Sequence, residues 1–334
     1  MRVCPVAVPA DPAHRFGLCR MARGDTRPRP LRPTAPLPTP SGDNVTRFAL
    51  GGPVPTVVVD DVARRLDSLL PDAPPRLEEL FADWDGWCDR IEAAVDRADP
   101  TTWEPVSHAG LRPVPVAGAT IYACGANYYD HVEEMGATPP DKTRERVFHF
   151  LLPPSAVIGD GEDVLRPPGC EQLDYEVELV AVLARGGSDI PESEALSYVA
   201  GYTVANDVSV RDPWHKHPIF GVNFLIAKGQ STLKPFGSLL VPARFVPQPG
   251  LTGLSTRVNG EIRQDSSTKQ MIWSLAEQIA ALSATLPLRA GDVILTGTPA
   301  GTSAGHGRYL DDGDVVTVRV EGVGSLTNHV VGRR

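Results

Sequence analysis

From about residue 118 onward, short runs of β-branched and apolar residues recur, each separated from the next by Gly, Pro, Asn or Asp. Such punctuation forbids long helices and leaves sheet formation as the way to bury apolar surface. The runs are Ala119-Thr120-Ile121-Tyr122-Ala123, Tyr175 to Leu183, Tyr198 to Ala205, Asp292 to Thr296 and Val315 to Val320. Asn259-Gly260 lies between two further extended runs and predicts a type I′ hairpin, because both residues tolerate positive φ. Apolar residues at 271, 272, 275, 276 and 279 predict one helix over Met271 to Leu282. The expectation is an antiparallel, mainly β domain with few helices, α+β in class.

Two different patterns come before it. Residues 1–43 are crowded with Pro and Arg, as in Arg27-Pro28-Arg29-Pro30-Leu31-Arg32-Pro33, which predicts a disordered tail. Pro5, Pro9 and Pro12 interrupt the one stretch that resembles a signal-peptide core, so secretion is not expected; an Arg-rich transit peptide and a later start at Met21 are the alternatives. Over residues 44–115, Thr56 to Val59 reads as a strand, while Val62, Leu66, Leu69 and Leu70 fall at helical spacing. A further helix is predicted over Leu77 to Val95, then a connector marked by Pro100, Pro105 and Pro113. This suits a small N-terminal α+β domain leading into a catalytic domain at 116–334.

Composition narrows the function. A net charge of -9 argues against nucleic acid and anionic membranes as partners, since both demand a basic face. No apolar run approaches the roughly 18 residues of a membrane-spanning helix, and the reading is a cytoplasmic protein with a small-molecule substrate. Five scattered cysteines without a CxxC pair suggest a reducing compartment and inert thiols.

Three segments carry the chemistry. In Asp174-Tyr175-Glu176-Val177-Glu178-Leu179, strand alternation puts Glu176 and Glu178 on one face. In an apolar setting two adjacent carboxylates call for a cation, whereas on a solvent-facing sheet they need none. Asp207, in Asn206-Asp207-Val208-Ser209-Val210-Arg211-Asp212, offers a third hard oxygen ligand or a plain Asx turn. Three carboxylates completed by water would suit Mg²⁺ or Mn²⁺, with Ca²⁺ also admissible. His131 and Glu134 stand three residues apart on a short helix, the relation of a carboxylate that orients a general base or of an exposed surface pair.

Taken together, Asn127 to Glu134, Asp174 to Leu179, Gly201 to Asp212, Lys228 to Gly237, Val258 to Gln264 and Gly291 to Gly301 resemble, in order, the motifs of the fumarylacetoacetate hydrolase family. The resemblance covers about 118 to 330. It implies a mixed β-sandwich roll or barrel around an acidic metal site, usually in a homodimer. By position it implies Glu176, Glu178 and Asp207 as metal ligands, and His131 with Glu134 as the catalytic, water-activating pair. Arg211, Lys228, Thr298 and Gly297 then fall at the substrate, the first two as cations for an anionic keto acid and Gly297 as a point of close backbone approach.

The implied activity is metal-dependent hydrolysis of a C–C bond in a small 2,4-diketo acid of the acylpyruvate or fumarylacetoacetate kind, through an enolate, as in aromatic catabolism. Isomerisation of 2-hydroxymuconate-type acids or oxaloacetate decarboxylation uses the same enolate chemistry and is the alternative. A non-catalytic metal-dependent binder would have no use for the His131–Glu134 pair. Two departures from the family pattern bear on substrate recognition: Trp214 stands where Gln is common, and Leu152 where Lys is usual. His215 and His217 read as a solvated loop rather than a second metal site.

Overall fold

The computed structural model describes residues 48–52, 54–106, 111–114 and 118–332, so the tail expected over 1–43 lies outside them. Among these residues two sheets dominate. The larger has ten strands, in the order Glu104–Pro105, Val62–Arg65, Thr56–Val59, Ala49–Gly51, Leu239–Pro242, Val199–Asn206, Val177–Leu183, Val293–Leu295, Ile121–Gly125 and Phe148–Leu152. The smaller has five, in the order Glu261–Ser267, Gly253–Val258, Val315–Val320, Gly324–Gly332 and Asp163–Arg166. Each sheet has two free ends, so neither closes into the barrel that was one of the expected forms.

Expected strands and the Asn259-Gly260 turn are present, the turn with φ of 52° and 83° at its two central residues. The sheets are mixed, however, and not purely antiparallel. Val293–Leu295 runs parallel to Ile121–Gly125, and Gly324–Gly332 runs parallel to Asp163–Arg166. Parallel neighbours need a long crossover, and local residue pattern carries no information about a partner so far away.

Local chemistry moves the helix boundaries too. Val62 lies in a strand, and the following helix starts only at Leu66. The Leu77 to Val95 expectation resolves into a 3₁₀ turn, Leu77–Asp83, and an α-helix, Trp84–Arg97. The helix expected from Met271 begins at Leu275, because Ser274 forms a capping box: its Oγ accepts from the Glu277 amide, and the Glu277 carboxylate accepts from the Ser274 amide.

The central pair positions the site. Every residue of Val177–Leu183 and of Val199–Asn206 is buried. Val177, Leu179, Ala181 and Leu183 face one apolar core, together with Leu254, Val316, Val318 and Leu326. Val180 and Val182 face the other, with Phe48, Leu50, Leu80, Ile91, Ile121 and Leu240. Residues 48–106 thus extend the main sheet, Leu50 pairing with Leu240, and supply much of that second core. Glu176 and Glu178 share the parity of Val180 and Val182, so the solvent-facing alternative for this pair does not hold. Among the described residues no helix is long and apolar enough to cross a membrane.

Candidate metal and active site

Glu176 precedes the buried strand Val177–Leu183, Glu178 sits within it, and Asp207 follows the neighbouring strand Val199–Asn206. All three are buried, and one carboxylate oxygen from each lies within 4.8 Å of the others. Ladder pairing of Val177 with Asn206 holds the two strand ends in register, and the Asp207 amide donates to the Glu176 carbonyl at 2.8 Å. The cluster is therefore fixed by backbone geometry before any ligand arrives.

Cations surround it. Lys228 Nζ donates to Glu176 Oε2 at 2.6 Å and to Asp207 Oδ2. Arg211 donates from Nη2 to Glu176 and from Nε to Asp174 Oδ2 at 3.0 Å. Lys234, wholly buried, holds its ammonium 2.6 Å from Asp207 Oδ1 while donating to the carbonyls of Val208 and Leu233. That approach to Oδ1 is an ion pair without hydrogen-bond alignment, so Oδ1 has no directed donor.

Ionisation follows from this layout. Burial drives the Glu178 carboxyl well above its ordinary value, and Asp207 and Glu176 add to the rise. For Glu176, burial acts in the same direction, but Lys228 and Arg211 outweigh it and hold the carboxyl low. Burial likewise pushes Lys234 down, to about 8, against the pull of Asp207. Glu178 is thus a carboxylate crowded by two others, a repulsion that a bound divalent cation relieves. Three buried hard oxygen donors at this spacing fit such an ion.

The His131–Glu134 pair lies on the short helix Tyr129–Glu134 and is inward-facing, not a surface pair. His131 Nδ1 is 3.2 Å from Glu134 Oε2, and Glu134 accepts from the Gly301 amide at 2.8 Å and the Thr302 hydroxyl at 3.2 Å. Burial raises the Glu134 carboxyl, but His131 and these donors prevail and leave it below its ordinary value. His131 is near enough to the cluster to help hold Glu176 low. Behind the helix, Asn127 donates to the carbonyls of Trp273 and Thr296 and accepts from the Trp273 amide.

The loop from Thr296 to Thr302 closes this side. The Gly297 amide donates to Glu178 Oε2 at 2.7 Å, at a φ of 98°. A β-carbon there would stand 2.8 Å from that of Asn127, so the position requires glycine. At Gly301, where φ is 96°, it would come within 2.1 Å of the Arg263 carbonyl. Thr298 is buried, and its hydroxyl donates to the Val177 carbonyl and accepts from Gln264.

Sequence reasoning passed over several residues. Asp174 accepts from Arg211 and from the Ser303 amide, Gln264 ties Val177 to Thr298 and Pro299, and Lys234 pairs with Asp207. All three lay inside recognised motifs, Lys234 within Lys228 to Gly237, which was signal enough. Of the histidines expected in a solvated loop, His215 is instead buried against the Asp212 carbonyl, and His217 is exposed and stacked on Phe220. Trp214 is exposed, and Leu152 is buried at the sheet edge.

Known proteins share this fold. Residues 120–331 match the profile of the fumarylacetoacetate (FAA) hydrolase C-terminal domain. The chain is similar to the homoprotocatechuate catabolism bifunctional isomerase/decarboxylase of Escherichia coli, with 39% identity over 218 residues, 65% of this chain and 48% of that protein. The chain therefore spans about half the length of that curated relative. Among solved structures, fumarylpyruvate hydrolase from Pseudomonas aeruginosa in complex with Mn²⁺ and pyruvate is 34% identical, with a TM-score of 0.58 over 67% of this chain and 92% of that one. Fumarylacetoacetate hydrolase from Exiguobacterium antarcticum is 29% identical, with a TM-score of 0.69 over 86% and 99% of the two chains. With the profile match covering well over half of its length, this chain belongs to the fumarylacetoacetate hydrolase family.

Proposed function

We propose that the protein is a divalent-cation-dependent hydrolase that cleaves a C–C bond in a small 2,4-diketo acid. One observation carries the reading: the buried triad of Glu176, Glu178 and Asp207 stands beside a histidine oriented by Glu134, whose carboxylate is itself held by the Gly301 amide and the Thr302 hydroxyl. Mn²⁺ or Mg²⁺ held by the triad would supply Lewis acidity toward a 2-keto carboxylate. His131, with Glu134 at Nδ1, takes a proton from water for attack on the distal carbonyl. Arg211 and Lys228 offset the negative charge of the substrate at the mouth of the triad.

A second reading, isomerisation or decarboxylation through the same enolate chemistry, is favoured by the similarity to the E. coli isomerase/decarboxylase. A homodimer is part of the proposal. Support comes from the exposed apolar residues Phe148 and Leu151 on the edge strand and Ile219, Phe220 and Leu225 in the segment whose Phe224 packs against Phe148 and Phe150, which a second copy would cover.

The test is a substrate panel. Purified protein loaded with Mn²⁺ or Mg²⁺ is incubated with acylpyruvates, oxaloacetate and hydroxymuconates while pyruvate, proton release and enol absorbance are followed. Hydrolysis predicts pyruvate plus one acid from the acylpyruvates. Enol loss or CO₂ release without acylpyruvate cleavage would replace it with the second reading.

A further inference from the structure

Two lysines reach Asp207, one at each oxygen, and they differ in kind. Lys228 ends the short helix Phe224–Lys228 and keeps slight solvent access, its ammonium shared between Asp207 Oδ2 and Glu176 Oε2. Lys234 has none. It sits in a two-residue strand, paired with Val157, and its ammonium is anchored by the Val208 carbonyl at 2.6 Å and the Leu233 carbonyl at 2.8 Å. An entering ligand can displace the first ammonium toward solvent, while the second has nowhere to go.

We propose that Lys234 is an immobile internal counter-cation of the triad, which stabilises the cation-free protein and weakens divalent-cation binding. This inference rests on the reading of Glu176, Glu178 and Asp207 as metal ligands. Charge makes the argument. The triad and Asp174, which shares Arg211 with Glu176, bring up to four negative charges, and Arg211, Lys228 and Lys234 bring three positive ones within ion-pair distance of Asp174, Glu176 or Asp207. Without Lys234 the cluster carries an uncompensated negative charge in a buried place, which disfavours the cation-free fold and draws a divalent ion in more strongly. With Lys234 retained, an ion bound at Asp207 must coexist with an ammonium 2.6 Å from the same carboxylate. Lys234 also engages Oδ1 electrostatically and so leaves Oδ2 as the oxygen of Asp207 free to serve a ligand once Lys228 moves.

Lys234 acts here as a positioning residue, and the sign of its effect separates this role from a structural one. A lysine that merely propped up the site would, on removal, loosen the triad and weaken binding. The proposal requires the reverse. Lys234→Met keeps length and removes charge and donors; Lys234→Gln removes charge and keeps a donor for the Val208 carbonyl. Both full-length variants, with wild type and Glu178→Ala, are titrated with Mn²⁺ at pH 7 by calorimetry, after chelation and buffer exchange. Thermal melts are recorded in chelator and in excess Mn²⁺.

Expected is at least about tenfold tighter Mn²⁺ binding in both Lys234 variants, on the strength of a unit charge removed from a buried site. Their melting temperature should fall in chelator and recover in Mn²⁺, so that the Mn²⁺-induced rise exceeds that of wild type. Unchanged or weaker binding in the Lys234 variants, with wild type binding normally, overturns the inference alone. If one variant fails to fold in chelator, the other decides by the same criterion. Wild type that binds no Mn²⁺, or Glu178→Ala that binds as wild type, removes the triad reading and this inference with it.

Discussion

Gln264 joins three parts of the molecule through one side chain, and replacing it by leucine turns that role into a measurable loss. The residue is fully buried on the strand Glu261–Ser267. Its Oε1 accepts from the Val177 amide at 3.0 Å and the Thr256 hydroxyl at 2.7 Å, and its Nε2 donates at 2.9 Å to both Thr298 Oγ1 and the Pro299 carbonyl. Leucine fills nearly the same space but makes none of these bonds. The Thr298 hydroxyl keeps its bond to the Val177 carbonyl. The Val177 amide, the Thr256 hydroxyl and the Pro299 carbonyl lose their Gln264 partner, and each orphaned buried group costs about 1–3 kcal/mol. The sum, about 3–9 kcal/mol, is a large share of the ~5–15 kcal/mol that holds an ordinary domain folded. Gln264→Leu should therefore melt roughly 6–36 °C lower, at about 2–4 °C per kcal/mol for a protein of this size. Scanning calorimetry in chelator is the direct assay, with urea denaturation as a second estimate. A fall below about 3 °C would show that these three groups find other partners, and the bridging role would be refuted.

Other outcomes follow from the same geometry. Glu176→Ala, Glu178→Ala and Asp207→Ala should each abolish Mn²⁺ binding by calorimetry while retaining the circular-dichroism spectrum; wild-type affinity in all three would dismiss the triad. His131→Ala should lower kcat for acylpyruvate cleavage by about 10²–10⁴, the usual loss on removing a general base, while leaving Mn²⁺ affinity and oxaloacetate decarboxylation much less affected. Equal losses on both substrates would argue against water activation. Glu134 titrates below its unfolded value of 4.5, so its contribution to stability is present above about pH 4.5 and fades as pH falls through the lower folded value. Glu134→Gln should accordingly flatten the acid limb of a melting-temperature profile below about pH 4.5; an unchanged limb would place that acid sensitivity elsewhere.

How much of this could be read from the chain depended on sequence distance. Glu176 and Glu178 were legible because strand periodicity is local, and the Asn259-Gly260 turn and the paired His131 and Glu134 were legible for the same reason. What periodicity could not decide was which side of the sheet is wet. That answer came from residues 48–106, whose Phe48, Leu50, Leu80 and Ile91 cover the face that Val180 and Val182 share. The pairing of Leu50 with Leu240 and of Ile121 with Val293 leaves no trace in any short window. Lys234 was missed for a related reason. A lysine in a β-rich run reads as surface, and only the three-dimensional position of Asp207 explains its burial. The helix over Met271 to Leu282 was placed too early because apolar spacing outran the stronger start signal of the Ser274 cap.

The contacts of Glu134 with Gly301 and Thr302 bear on biosynthesis. His131 is made early, yet the donors that fix its carboxylate partner, the Gly301 amide and the Thr302 hydroxyl, lie about 170 residues downstream. Ile121–Gly125 likewise waits for Val293–Leu295 before it gains its parallel neighbour. Pairings over such distances are slow to close, and strands awaiting them expose unpaired edges while the ribosome is still working. A nascent chain of this protein cannot complete its acid–histidine constellation until nearly the whole domain has emerged. Chaperone dependence during translation, and a refolding yield that falls with protein concentration, are the physiological marks this topology should leave.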